Sequence, residues 1–196
     1  TRLAAVLITD VPQAAKDACC RALRTIGTSL CVPALTQLLK DEKLSHMARY
    51  ALENIPGKEA TQALVDQLDK VPAKLQVGIA ASLGARARAG VDDVPIIPLS
   101  WALAQKDPAV ARAGALGLGA IGNEEAAEVL GAIEKFATKP DPNTRTAIAD
   151  SLLECADNML AGGNRAGAKA AYEKIIETDL AGPAKAAAER GVKASS

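Results

Sequence analysis

The sequence predicts an all-α protein, a right-handed α–α superhelix of about five stacked helix pairs. Three observations predict it. Apolar residues make up 49% of the 196-residue chain, yet it holds one Phe, one Trp and two Tyr, so its core must be Ala, Leu, Ile and Val. Small aliphatic side chains let helices approach closely in many shallow layers, which suits a stack better than a core built around large rings. A short motif recurs along the chain, the mark of repeat architectures. No run alternates with period two while being rich in β-branched or aromatic residues, as a strand would.

The recurrent segments are Ala22-Leu23-Arg24-Thr25-Ile26-Gly27, Ala51-Leu52-Glu53-Asn54-Ile55-Pro56, Ala80-Ala81-Ser82-Leu83-Gly84 and Gly117-Leu118-Gly119-Ala120-Ile121-Gly122. Their closing residues, 27, 56, 84 and 122, stand 29, 28 and 38 residues apart. A unit of about thirty residues holds two helices and two turns. Gly or Pro just past the last apolar position is the expected helix stop, so each of these residues should close a helix.

Taken in order, Thr1 to Asp10 reads as the end of a preceding unit. Helix pairs follow near 13–26 and 30–40, 44–54 and 58–69, 73–84 and 94–105, and 108–121 and 124–137. A longer fifth pair lies near 143–161 and 165–178, turning at Gly162-Gly163-Asn164, and 181–192 forms a last helix. The repeat array thus spans 1–140, and 141–196 is a C-terminal hairpin with a terminal helix, continuous with the same stack. The wide third spacing marks an insertion from Ala85 to Pro98. Its prolines and paired acids, Asp92 and Asp93, do not continue a helix, so it should be an exposed loop, either a partner contact or a passive connector.

The run Asp107-Pro108-Ala109-Val110-Ala111-Arg112, followed by Ala115-Leu116 and Ala120-Ile121-Gly122, resembles the bacterial HEAT repeats of phycocyanobilin-lyase-like proteins. Cys31-Val32-Pro33-Ala34-Leu35 with Leu38 and Leu39 is similar to the usual opening of a second repeat helix. The family's arginine stands only at Arg112; Asp17, His46 and Lys74 occupy the matching positions. The resemblance covers roughly residues 13–140. The fifth pair is similar to a tetratricopeptide hairpin, in Ala156, Ala161-Gly162-Gly163-Asn164, Ala168, Ala171-Tyr172 and Ile175. Such an order resembles helical modules of large exported proteins of environmental bacteria. That leans towards an exported or periplasmic setting, with a cytoplasmic one as the alternative.

Repeats of this kind serve many partners, so the resemblance speaks for fold more than for activity. It implies that the second helix of each unit lines one concave layer, a long groove without a deep pocket. The residues opposite each apolar stripe there are Gln37, Gln62, Asp66, Glu128, Lys135, Lys169 and Glu173. Trp101, on the second helix of the third unit, is either core or an exposed anchor. Mixed charge in this set suits a protein or peptide partner, or other domains of a parent chain. The expected function is a non-catalytic protein-binding or scaffolding module with no cofactor. Two alternatives are a bilin lyase or chaperone-like protein and a DNA-repair module.

Composition excludes several classes. Lys plus Arg equals Asp plus Glu at 23 each, so the basic surplus that binds phosphates, or an anionic membrane, is missing. No stretch approaches the roughly 18 apolar residues of a membrane span. Beginning at Thr1 without a signal peptide, the sequence reads as a mature form or an excised piece. Cys19, Cys20, Cys31 and Cys155 form no C-x-x-C pair; Cys19 and Cys155 share the spacing of neighbouring apolar residues and should face the interior.

His46 is the only histidine, which excludes sites needing two, and it should be exposed near a helix start. Gly117 to Gly122 spells G-x-G-x-x-G, with Asp141 where a ribose ligand would stand. A dinucleotide fold needs a buried strand before those glycines, and Val110 to Leu116 is mostly alanine with a charge. Glycine inside a helix costs about 1 kcal/mol against alanine, and close packing of neighbouring helices is the better reason to keep it. Glu124, Glu125, Glu128 and Glu134 gather on one helix, whose dipole favours the first two at its amino end.

Overall fold

The computed structural model describes residues 2–91, 93–132, 140–177 and 183–195, and every regular element among them is helical. The chain divides into two compact units, Thr1–Val94 and Pro95–Ser196. That division falls inside the stretch expected to be an insertion, whereas the repeat marks had divided the chain near 140.

The first unit contains α1 (Arg2–Leu7), α2 (Gln13–Ile26), a 3₁₀ turn (Ser29–Cys31) leading into α3 (Val32–Leu38), α4 (Ser45–Leu52), α5 (Lys58–Leu68) and α6 (Ala73–Ala89). Two layers result. Helices α2, α4 and α6 pack in succession, and α1, α3 and α5 pack in succession beside them. Helix α1 thereby takes the place of a second helix, as the end of a preceding unit should. The core between the layers is aliphatic: Leu23, Leu35, Leu52, Ile55, Leu64, Ile79 and Leu83 are fully buried. Each comes from an apolar stripe at helical spacing, which is why a pair of these helices is stable only against its neighbours.

Two expectations fail in α6. Gly84 does not stop the helix, which runs on to Ala89 and ends at Gly90 in the left-handed region at φ 60°. Residues 85–89, expected in an exposed loop, are therefore helical, and only the short link before α7 (Ile96–Leu103) remains. The reason is Arg86, which is fully buried. Its Nη1 donates to the carbonyls of Leu52 (2.5 Å) and Ile55 (2.8 Å), its Nη2 to that of Gly57 (3.0 Å) and its Nε to Thr61 Oγ1 (2.7 Å). Helix ends leave carbonyls without intrahelical donors. Arg86 satisfies those at the end of α4 and in the turn to α5, which is possible only if α6 continues past Gly84.

The second unit contains α7, α8 (Pro108–Ile121), α9 (Glu124–Gly131), α10 (Pro142–Ala161), α11 (Arg165–Glu177) and α12 (Pro183–Ser195). Here α8 and α10 pack side by side, α7, α9 and α11 follow one another, and α12 lies against α10 and α11. The starts of α8, α9 and α10 are capped by side chains. Asp107 accepts from the Ala109 and Val110 N–H groups, Asn123 from Ala126 and Asp141 from Asn143 and Thr144. Pro108 and Pro142 at the first turns lack an N–H that would have had no partner there. Helix α9, expected to reach 137, ends at Gly131 with Ala132 as its cap, and 133–137 lie outside the described residues.

Helix α8 contains the whole G-x-G-x-x-G, with no strand before it, and stops at Gly122 in the left-handed region at φ 68°. Its glycines are packing positions. A Cβ on Gly114 would lie 2.4 Å from the Leu103 backbone N and 2.8 Å from the Leu99 carbonyl O, so α7 crosses α8 backbone to backbone. Asp141, at the ribose-ligand spacing, caps α10; the Thr144 hydroxyl donating to its carboxylate holds it below its ordinary range.

Candidate binding grooves

Helices α3 and α5 are neighbours, and between their solvent faces runs an open groove of about 800 Å³. Helix α5 presents Glu59, Gln62, Ala63 and Asp66, spaced so that all lie on one face; α3 and the turn after it supply Val32, Pro33, Gln37 and Lys40. Val32, Pro33 and Ala63 make an apolar base under a polar rim. On that rim Gln62 Nε2 donates to Asp66 Oδ1 at 2.7 Å and orients the carboxylate. Three of the predicted residues, Gln37, Gln62 and Asp66, thus share one surface. Lys40, Lys58, Glu59 and Gln67 also line it and were not predicted. The signal for Lys40, Lys58 and Glu59 was their spacing of three or four residues from Gln37 and Gln62; Gln67, five residues from Gln62, carried none.

A second groove, of about 500 Å³, lies between α9 and α11 in the other unit. Glu128 is on its rim with Glu124, and Lys174 stands on α11; Ala127, Gly131, Met159 and Ala171 line it. Lys169 and Glu173 are also on α11 but line neither groove, and pair with each other at 3.9 Å. Trp101, half-buried on α7, lines neither groove as well. Lys135 and Glu134 lie outside the described residues.

Neither groove carries a reactive constellation. His46 is exposed on α4. Among the described residues no three His, Cys, Asp or Glu side chains converge as metal ligands, and no helix is long and apolar enough to cross a membrane. All four cysteines are buried thiols. Burial, with the Asp17 carboxylate second, pushes the Cys20 thiol up to about 11; burial, then Glu154, pushes Cys155 up to about 12. The thiolate is the reactive form, so both are inert at neutral pH. Native protein at pH 8 should therefore take up almost no aromatic disulfide reagent over minutes, and release four thiols in guanidinium. Rapid native labelling of Cys20 or Cys155 would contradict their burial.

Solved structures with a similar fold include engineered proteins and designed armadillo repeat proteins. One engineered protein matches with a TM-score of 0.55 at 20% identity, covering 99% of this chain and 95% of that one. A designed armadillo repeat protein matches at 0.53 and 16% identity over 100% of this chain and 99% of its own. Another, in complex with the peptide (KR)4, matches at 0.53 and 17% over 100% and 98%. No family model and no curated protein matches the sequence. Likeness over the whole chain at such low identity is likeness of fold, and the chain has the all-α fold of a helical-repeat protein.

Proposed function

We propose that this protein is a non-catalytic interaction module whose α3–α5 groove docks a peptide segment of a protein partner. The observation that carries this reading is the meeting of Gln37, Gln62 and Asp66, from two helices far apart in sequence, on one open groove with an apolar base. Carboxamides offer both donors and acceptors, and Glu59, Asp66, Lys40 and Lys58 offer both charges, which suits an extended chain held by scattered polar contacts. The designed armadillo protein that carries a bound peptide supports the same class of ligand on this fold. The HEAT-like sequence marks support reading the units as HEAT-type pairs.

A random peptide library selected against the intact chain tests it. The tightest selected peptide should lose at least about tenfold in affinity when Gln37, Gln62 and Asp66 are changed together to alanine, since polar contacts contribute about 0.5–1.5 kcal/mol each and 1.4 kcal/mol is tenfold. Unchanged affinity removes the α3–α5 groove from consideration.

A further inference from the structure

The acidic side chains of α9 are not all explained by its amino end. Asn123 caps the helix through the Ala126 N–H at 2.9 Å, and the dipole favours Glu124 and Glu125 in the first turn. Glu128 lies a turn further on, four residues from Glu124, where like charges destabilise a helix. Both carboxylates border the α9–α11 groove. Among the described residues neither has an ion-pair partner, and the side chain near Glu124 is the neutral amide of Asn164, with Nδ2 at 3.5 Å.

Beneath them the groove is apolar and shallowly stepped: Ala127 and Ala171 leave room, and the Met159 thioether is soft and adaptable. Among the described residues Lys174 is the one cation in the same lining, so the two carboxylates leave the groove net negative. Above such a floor they complement a further cation carried on methylenes, the build of a lysine or arginine side chain. A bare inorganic cation would use the carboxylates but not the floor. We propose that the α9–α11 groove takes a lysine or arginine side chain of a peptide, its stem on Met159 and its cation between Glu124 and Glu128. This site is separate from the α3–α5 groove and rests on the interaction-module reading only for the class of partner.

The test uses the intact chain and a fluorescent octapeptide of alternating lysine and arginine. Carbodiimide cross-linking at low salt should join peptide lysines to Glu124 and Glu128. In anisotropy titrations the double substitution Glu124→Gln/Glu128→Gln should weaken binding at least tenfold. Ala170→Trp, which keeps both carboxylates but fills the exposed lining, should weaken it also. Both variants change exposed positions, so an unaltered melting midpoint verifies their folding. The alanine triple at Gln37, Gln62 and Asp66 should leave the cross-links to Glu124 and Glu128 in place, which separates this site from the other groove. No binding of the octapeptide, cross-links only elsewhere, or affinity of the double variant within twofold of wild type would each overturn the proposal.

Discussion

Arg86→Met is expected to destabilise the Thr1–Val94 unit by roughly 3–5 kcal/mol, the range for breaking a buried charged network by removing one member. Methionine fills a similar volume but has no donors. The carbonyls of Leu52, Ile55 and Gly57 and the Thr61 hydroxyl would lose the partner that now ties them together. A buried polar group left unsatisfied costs about 1–3 kcal/mol, so even partial relief by entering water leaves a large loss. Arg86→Lys should recover only part of it, because an ammonium cannot spread donors over three carbonyls as the planar guanidinium does. Hydrogen exchange resolved by segment is the measurement: amides of α4 to α6 should exchange sooner, with those of α8 and α10 little changed. Protection in α4 and α5 equal to wild type would show that Arg86 is not the clasp.

Gly114→Val should destabilise the Pro95–Ser196 unit by about 3 kcal/mol, at the upper end of the usual cost of overpacking. What the new Cβ meets decides the size of the effect. Leu103 N at 2.4 Å, Leu99 O at 2.8 Å and Ala102 C at 2.9 Å are backbone atoms of α7, which cannot rotate aside as a side chain can. Helix α7 must move away from α8, opening the packing of the fully buried Leu99 side chain against Gly117. Gly114→Ala should follow the same direction with a smaller loss, despite alanine's better helix propensity of about 1 kcal/mol. Trp101, half-buried on α7, reports the shift through its fluorescence, and a urea titration gives the stability change. Leu116→Ala, at a position 44% exposed on α8, should be close to neutral by comparison. Equal midpoints for Gly114→Val and wild type would contradict the close crossing.

Much of the fold was legible because its signals are short-range. The helices at 13–26 and 108–121 have the bounds that apolar spacing and end signals predict. Asp107-Pro108 opens α8 and Gly122 closes it, each through groups within four residues. Gly84 carries the same stop signal, yet α6 runs through it. A glycine tolerates both helix and left-handed turn, and which one it adopts at 84 depends on Arg86 reaching carbonyls 29 to 34 residues earlier. No local pattern contains that distance.

The groove was legible in part for the same reason. Periodicity placed Gln37, Gln62 and Asp66 on solvent faces, but their common surface exists because α3 lies on α5. On α11 it is Gly167, Ala170, Ala171 and Lys174 that line the groove, whereas Lys169 and Glu173 do not. Alanine and glycine are buried easily on any side, so an Ala-rich helix gives little sign of which stripe meets its neighbour.

By itself, then, the amino-acid order determined that the chain is helical, where most helices start and stop, and that aliphatic stripes pair them, since those choices rest on contacts within one or two turns. Only the tertiary structure decided how far α6 runs, which polar faces form a groove and where the compact units divide. Those outcomes depend on buried donors and acceptors finding partners across the fold, and that requirement has no fixed spacing along the chain.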